Sequence, residues 1–204
     1  MYCLFFDIEC CDGRHICSFG YIKTDEKFKI LEKRDIVINP KKPFNLGPRG
    51  ESELKFCYPK SLFFKQKEFP FFYDELKNLL SQKDCINFGF SIGNDFNFLN
   101  IACARYGLPP FLIKGIDVQI MQKYITNDTN CRALEKVADS RHIDFSKLRL
   151  HKSCDDAQLS MCILKNICQE YGYSIKDIVE GFDNCIVESK PFVRKVRKKI
   201  AKNQ

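Results

Sequence analysis

The first forty residues alternate between hydrophobic and polar side chains in three stretches, a pattern typical of β-strands. Two short polar segments, Cys-Asp-Gly-Arg and Thr-Asp-Glu-Lys, separate the three stretches. Turns as short as these join strands that run in opposite directions. The pattern therefore predicts an antiparallel meander whose strands cover residues 2–8, 15–23 and 28–38.

The hydrophobic pattern changes after this meander. Residues 39–70 contain five of the eight prolines and little periodicity, which indicates a long irregular connection with a short helical piece. Helical spacing and short apolar runs then alternate along the rest of the chain. Strands are predicted at 84–90 and 111–118, and helices at 71–82, 95–106, 119–124, 131–139, 153–171 and 175–180.

An antiparallel meander followed by strand–helix–strand units predicts a mixed five-stranded sheet covered by helices, because parallel strands need crossover helices on the faces of the sheet. The fold class is therefore α/β, with an architecture that resembles ribonuclease H. We expect one domain over residues 1–188, with 39–70 as a long loop and 189–204 as a basic tail.

Composition adds limits to this picture. The 204 residues contain no apolar run near the roughly 20 residues that a membrane-spanning helix needs, so we expect a soluble, cytoplasmic protein. The net charge of +7 suits a polyanionic partner and is equally compatible with a solvated surface. Twelve cysteines are scattered without any CxxC pair, which favours reduced, buried thiols over a structural zinc site.

Two carboxylates lie close together in the first predicted strand. Since side chains alternate between the faces of a strand, Phe5, Asp7 and Glu9 share one face. Two neighbouring carboxylates with an apolar approach either raise the pKa of one of them or bind cations. An exposed strand end is the alternative reading of this pair.

A third carboxylate, Asp95, opens a predicted helix. Residues three, four, seven and eleven positions later are Phe98, Leu99, Ala102 and Tyr106, which is the spacing of one buried stripe. Asp95 is therefore expected to point inward. The alternative is an aspartate that only complements the helix dipole.

Two adjacent aspartates begin the long helix predicted at 153–171. Its apolar stripe centres nearer Asp156 than Asp155, which predicts that Asp156 faces inward and Asp155 faces solvent. His151 precedes the helix and can reach the same cavity, and an ordinary imidazole pKa near 6.5 suits a general base at neutral pH. A surface loop histidine is the alternative reading.

Taken together, these motifs resemble those of the DEDDh exonucleases of the DnaQ-like superfamily, a ribonuclease H-like group that includes the proofreading subunit of the bacterial replicative polymerase. Asp7-Ile8-Glu9 resembles the first motif and Asp95-Phe96-Asn97-Phe98-Leu99 the second. The segment from His151 to Ala157 matches the third, with its H-x4-D spacing. Family members often carry His-Asn before the second aspartate, whereas this chain has Phe90-Ser91-Ile92-Gly93-Asn94.

The resemblance implies a 3′→5′ exonuclease that releases nucleoside 5′-monophosphates from a nucleic acid with a free 3′ end, expected to be single-stranded. It also implies that two Mg²⁺ or Mn²⁺ ions bind the four carboxylates and that His151 deprotonates the attacking water. Cys10, Cys11 and Phe98 are the candidate contacts to the terminal nucleotide, although both cysteines are equally compatible with core packing. The implied metal ligands are Asp7, Glu9, Asp95 and Asp156.

Other functions stay open at this point. A catalytically silent relative that binds nucleic acid or a protein is one alternative, and a zinc-binding structural protein is another. The basic tail and the lysine- and aromatic-rich residues 41–67 are candidates for contacts with nucleic acid, and both are also compatible with a purely structural role. Neither the preferred sugar nor the pathway can be read from the motifs.

Overall fold

The structure is a computed structural model that describes residues 1–45 and 57–193. Its first three strands form the predicted meander. They are β1 (Tyr2–Cys10), β2 (Ile16–Asp25) and β3 (Ile30–Val37). β1 pairs with β2 in antiparallel register, with Asp7 opposite Gly20, and β2 pairs with β3 in the same sense.

Parallel strands extend the sheet on the other side of β1. β4 (Cys85–Gly89) pairs with β1, and β5 (Lys114–Asp117) pairs with β4, both in parallel. A short strand, β6 (Ile186–Glu188), then runs antiparallel to β5. The order is β3-β2-β1-β4-β5-β6, so the described residues form a six-stranded sheet rather than the five-stranded one predicted. Three residues are too few to show the alternation by which a strand is recognised in sequence.

Helices cover the sheet at positions close to those predicted. The largest differences are three residues: the helix that carries Asp95 begins at Ile92, the helix predicted at 131–139 begins at Leu134, and the strand predicted at 111–118 begins at Lys114. No helix in the described part of the chain is long and apolar enough to cross a membrane. The helices are α1 (Lys60–Phe64), α2 (Phe69–Leu80), α3 (Ile92–Tyr106), α4 (Val118–Thr126), α5 (Leu134–Ser140), α6 (Ser153–Tyr171) and α7 (Ile175–Gly181).

The region predicted as a long irregular loop is described in part. Its helical piece is α1, where Phe63 is buried and packs near Phe44 and Tyr58 in a small cluster. Residues 46–56 lie outside the described residues, as do residues 194–204 of the predicted basic tail.

The two faces of the sheet build two hydrophobic cores because side chains alternate along each strand. Phe5 points to one side, where it packs with residues of α6 such as Ile163 and Leu164. Phe6 points to the other side and packs with residues of α2 and α3. Asp7 and Glu9 have the same parity as Phe5, so the alternation places both carboxylates on the α6 side of the sheet.

Gly20 allows the beginning of α6 to lie directly on β2. A Cβ atom at Gly20 would be 1.9 Å from the backbone nitrogen of Cys154, a distance that no real side chain tolerates. On the same strand, the hydroxyl oxygens of Ser18 and Ser153 are 2.5 Å apart. Since Gly20 pairs with Asp7, this contact brings the first turn of α6 next to the carboxylates of β1.

All twelve cysteines fall within the described residues, and all are free thiols. Eight are buried, three are partly buried, and Cys131 is exposed to solvent. Burial raises the pKa of Cys3 and of Cys154 to about 12, so both stay protonated at neutral pH. These positions agree with the prediction of reduced, mostly buried thiols.

Candidate active site

β1 extends beyond its neighbour β4, and the extension carries Asp7 and Glu9. The β1–β4 pairing ends where Phe5 faces Phe88, so later residues of β1 have no strand on that side. The backbone N–H of Ile8 is near enough to the Asp95 carboxylate to act against the rise of its pKa. Both Asp7 and Glu9 are partly buried. The end of β1 therefore presents two carboxylates where a third carboxylate approaches.

Asp95 lies in the first turn of α3 and is 4% exposed, which agrees with its predicted inward orientation. A left-handed residue, Ser91, precedes the helix with φ 63°. The N–H of Ser91 donates to Asp117 Oδ1 at 3.1 Å, and Asp117 also caps α4. Because of this anchored turn the helix begins at Ile92, so Asp95 lies within its first turn rather than at its first position.

Asp156 approaches from the first turn of α6 and is 7% exposed. Its Oδ2 accepts a hydrogen bond from the N–H of His151 at 3.0 Å. Its Oδ1 is buried without a hydrogen-bond partner, and the same is true of Oδ2 of Asp95. Buried polar atoms without partners are rare in folded proteins and mark places where an ion or water belongs.

His151 stands at the rim of the same cluster in a left-handed backbone conformation, with φ 63°. Its Nδ1 lies 3.5 Å from Oε1 of Glu9, and its side chain is 43% exposed. One ligating atom from each of Glu9, His151 and Asp156 lies within 4.8 Å of the others. The imidazole thus has access both to the carboxylates and to solvent.

The carboxylates raise one another's pKa. Burial, followed by the charges of Asp95 and Glu9, raises the pKa of Asp7 well above its usual value. Burial and then Glu9 do the same for Asp95, and they raise the pKa of Asp156 to about 7. Among the described residues, no lysine or arginine forms an ion pair with any of the four carboxylates. Apart from His151 beside Glu9, the described residues offer no cation to this cluster, so its carboxylates bind protons more tightly than usual when no metal ion is present.

The prediction that Asp155 faces solvent is wrong, because this residue is 5% exposed. Its Oδ1 accepts a hydrogen bond from Lys33 Nζ at 2.8 Å, and its Oδ2 accepts one from the Arg149 N–H at 3.2 Å. Burial acts to raise the pKa of Asp155, but the bonds from Lys33 and Arg149 outweigh it and lower the pKa. Asp155 is therefore buried because Lys33, on β3, forms an ion pair with it.

A polar network that the sequence did not reveal supports the first turn of α6. Asp35 on β3 accepts a hydrogen bond from the Tyr58 hydroxyl at 2.9 Å and one from Ser153 Oγ at 3.3 Å. Ser153 also contacts Ser18 on β2. The only sequence signal was Gly20, since a lone glycine inside a strand often marks a close backbone approach.

The three candidate contacts to the terminal nucleotide are all at least partly buried. Cys10 is 8% exposed and Cys11 is fully buried, so both side chains belong to hydrophobic clusters. Phe98 is half-buried on α3 and packs against the core that contains Phe6. Their role in binding substrate stays a prediction, to which the two cysteines can contribute mainly through their backbone.

Neither a protein-family model nor a curated protein sequence matches this chain. Solved structures do match. The chain is similar to the nuclease domain of 3′hExo, a DEDDh family member, bound to rAMP, with a TM-score of 0.66, 17% identity and coverage of 83% of this chain and 92% of that one. The chain has the fold of the DEDDh exonucleases.

Two further solved exonuclease structures are also similar to this chain. Exonuclease X in complex with 5′ overhanging duplex DNA gives a TM-score of 0.64 at 11% identity, covering 87% of this chain and 98% of that one. E. coli exonuclease I in complex with a dT13 oligonucleotide gives 0.65 at 16% identity, covering 84% of this chain and 42% of that one.

The chain spans less than two thirds of two further 3′-exonuclease structures, covering 64% and 61% of their lengths. At such identities the likeness concerns the DEDDh fold, and the chemistry depends on this chain's own residues.

Proposed function

We propose that the protein is a metal-dependent 3′→5′ exonuclease that hydrolyses the terminal phosphodiester bond of DNA or RNA and releases nucleoside 5′-monophosphates. One observation carries the proposal. Four carboxylates converge with no lysine or arginine of the described residues paired to them, namely Asp7 and Glu9 on β1, Asp95 on α3 and Asp156 on α6. Such an arrangement costs stability, and clusters of this kind are typical of functional sites.

The four carboxylates fit divalent metal ions. Oδ2 of Asp95 and Oδ1 of Asp156 are buried acceptors without a partner, and a bound cation would satisfy both. A site made mostly of carboxylate oxygens suits hard ions such as Mg²⁺ and Mn²⁺. We infer that Asp7, Glu9, Asp95 and Asp156 hold two such ions, which when bound supply charge neutralisation at the phosphate and a more acidic water.

His151 is the proposed general base. The Glu9 carboxylate raises the pKa of His151 and lies 3.5 Å from Nδ1, and we infer that Nε2 accepts the proton of the attacking water. Its exposed position lets the imidazole pass that proton to solvent between turnovers. The bond from the His151 N–H to Asp156 fixes the backbone of this residue relative to the carboxylates. The imidazole is thus both positioned and accessible, as a base needs to be.

The test is a cleavage assay on strands labelled at the 5′ end. DNA and RNA should both be used, single-stranded and duplex, because the related structures hold RNA in one case and DNA in others. Purified protein with Mg²⁺ or Mn²⁺ should shorten the labelled strand progressively from its 3′ end. A chelator should stop this cleavage. The Asp7→Ala variant is the control for a contaminating nuclease. Full-length substrate under every metal condition would refute the proposal.

A further inference from the structure

The turn that follows Glu9 is flanked by two basic pockets that the proposed chemistry does not use. The turn comprises residues 11–15 and connects β1 to β2. One pocket lies between this turn and α3, and the other lies between residues 41–44, which are attached to the turn, and α1. We call the two pockets together the turn-flanking surface. Because the turn continues directly from the strand that carries Asp7 and Glu9, this surface borders the proposed active site.

The pocket on the α3 side contains two arginines. Arg14 and Arg105 are both exposed, and Arg105 Nη2 donates to the backbone oxygen of Arg14 at 3.2 Å. Phe192 also lines this pocket and is 41% exposed. The chain is held there because Asn100 Nδ2 donates to the carbonyl of Lys190 at 2.9 Å. This pocket therefore combines fixed positive charge with an accessible aromatic ring.

The pocket on the α1 side contains lysines and phenylalanines. Lys41, Lys42 and Lys60 line it together with Phe44 and Phe64, and Phe64 is 47% exposed. The segment is attached to the turn, because the N–H of Asn45 donates to the carbonyl of Cys11 at 2.8 Å. Lysine and aromatic side chains that alternate in this way are typical of surfaces that hold single strands.

Two acids of the described residues lie near this charge, and each already has a partner. Asp12 is hydrogen-bonded to His15, whose Nδ1 lies 2.7 Å from Asp12 Oδ2. Glu68 pairs with Lys41 at 3.3 Å, which leaves Lys42 beside it. Among the described residues, no carboxylate lines either pocket. A positive surface next to a negative cluster is what a polyanion needs if its end must enter the cluster while its other phosphates stay outside.

Resting on the proposed exonuclease function, we propose that the turn-flanking surface binds the single-stranded segment 5′ of the terminal nucleotide. Arg14, Lys42 and Arg105 contact its phosphates, and Phe64 offers a face for a base. A single strand suits this surface better than a duplex, because unpaired bases are free to stack on aromatic rings while the backbone follows the cations. The surface would hold the substrate while successive 3′ nucleotides are removed.

The experiment measures binding in the presence of chelator, so that no cleavage occurs. The probes are a dinucleotide and a single strand of about 12 nucleotides, each as DNA and as RNA. The test variant is Arg14→Glu/Lys42→Glu, because no bond of the described structure uses either charged group. The matched control is Lys83→Glu/Lys165→Glu, which changes the net charge equally at exposed positions. Lys83 lies before β4, at the other end of the sheet from Glu9.

The wild-type protein and the control should bind the longer strand more tightly than the dinucleotide, with an affinity that falls as salt rises. The test variant should bind the longer strand roughly tenfold more weakly at low salt, with a salt slope smaller by about 1.4, which corresponds to two lost contacts with a single strand. Equal weakening in both variants would show that only net charge matters, and it would overturn the proposal.

A second measurement needs only the wild-type protein. Lysine acetylation with and without the longer strand should show protection of Lys42 and none of Lys83 or Lys165. Equal protection of all three, or none, would contradict the proposal even if the variant failed to fold. Because binding is measured under chelation, protection of Lys42 in a protein that never cleaves would refute the exonuclease function alone. Cleavage without such protection would refute this surface alone.

Discussion

Asp155 and Asp156 are neighbours in the chain, yet their carboxylates meet opposite surroundings on the two sides of the first turn of α6. Asp155 turns toward β3, where Lys33 and the Arg149 N–H neutralise it and its pKa is lowered. Asp156 turns toward β1, where burial and Glu9 raise its pKa to about 7. Both are nearly as buried as the hydrophobic core, so burial does not explain the difference.

The contrast separates a structural role from a functional one. A buried carboxylate that is paired and hydrogen-bonded contributes to holding the fold together. A buried carboxylate left beside other carboxylates costs stability, and such groups are typical of sites that bind something outside the protein chain. The predictions below test this division, beginning with the largest expected effect.

The first prediction compares matching amide substitutions. Asp156→Asn removes a proposed metal ligand and should lower kcat by roughly a thousandfold or more, the scale expected for loss of metal-centred catalysis. Asp155→Asn keeps the shape of the side chain and should lower kcat by less than about tenfold, because it removes one charge outside the cluster. The measurement is the initial rate on 5′-labelled single strands at saturating Mg²⁺.

Comparable losses of kcat in the two variants would contradict the assignment of different roles to Asp155 and Asp156. Circular dichroism of both proteins should accompany the rates, so that unfolded protein is not counted as slow enzyme. A kcat for Asp156→Asn within tenfold of the wild type would remove this residue from the site.

The second prediction concerns His151. His151→Gln should lower kcat by about a hundredfold to ten-thousandfold, the usual contribution of a general base. The four carboxylates stay in place, so stabilisation of the variant by Mn²⁺ in a thermal melt should match that of the wild type. A variant with normal kcat would disprove the role of base, and one that no longer responded to Mn²⁺ would make His151 a ligand instead.

The third prediction moves from rate to stability. Asp155→Ala removes the partner of the Lys33 ammonium and the acceptor of the Arg149 N–H, and it should lower the free energy of unfolding by about 1–3 kcal/mol, since Lys33 is 35% exposed. Asp156→Ala should leave the metal-free protein as stable as before or more stable, because it relieves repulsion within the cluster. Urea unfolding in chelator measures both values. A larger loss for Asp156→Ala than for Asp155→Ala would reverse the assignment of roles.

The smallest expected effect is a dependence of the stability of the metal-free protein on pH. The pKa of Asp156 rises on folding from 3.8 to about 7, so the folded state binds its proton more tightly than the unfolded state does. This stabilisation is complete below pH 3.8 and is lost as pH rises through about 7. Burial and neighbouring carboxylates raise the pKa of Asp7 and of Asp95 as well, so both residues act in the same direction.

Melting temperatures in chelator should therefore fall between about pH 4 and pH 7, and Asp156→Asn should make this fall shallower. Mg²⁺ should restore stability more at pH 8 than at pH 5, because ionised carboxylates bind it best. A melting temperature that rises across this range in chelator would contradict the idea of an unneutralised cluster.

Several features were predictable from local patterns. Alternation along one strand places Asp7 and Glu9 on the face of Phe5, and the stripe of α3 turns Asp95 inward. The error at Asp155 arose because its partner, Lys33, comes from a strand 122 residues earlier, and a helical wheel weighs only the residues of one helix. The network of Asp35, Tyr58 and Ser153 was hidden for the same reason.

The sixth strand and the beginning of α3 were missed for other reasons. β6 takes its conformation from pairing with β5, since its three residues have little intrinsic pattern. The start of α3 depends on the left-handed Ser91 and its bond to Asp117, a tertiary contact that replaces the usual N-cap.

The burial of the thiols has a practical consequence for spectroscopy. A maleimide dye reacts with accessible thiolates, and of the twelve cysteines, all of them in the described residues, Cys131 is the one classed as exposed. It lies shortly before α5, whose Glu135 is near enough to His151 to influence the pKa of the imidazole. The unaltered protein thus offers a natural attachment point for a fluorophore that reports when a strand arrives beside the histidine.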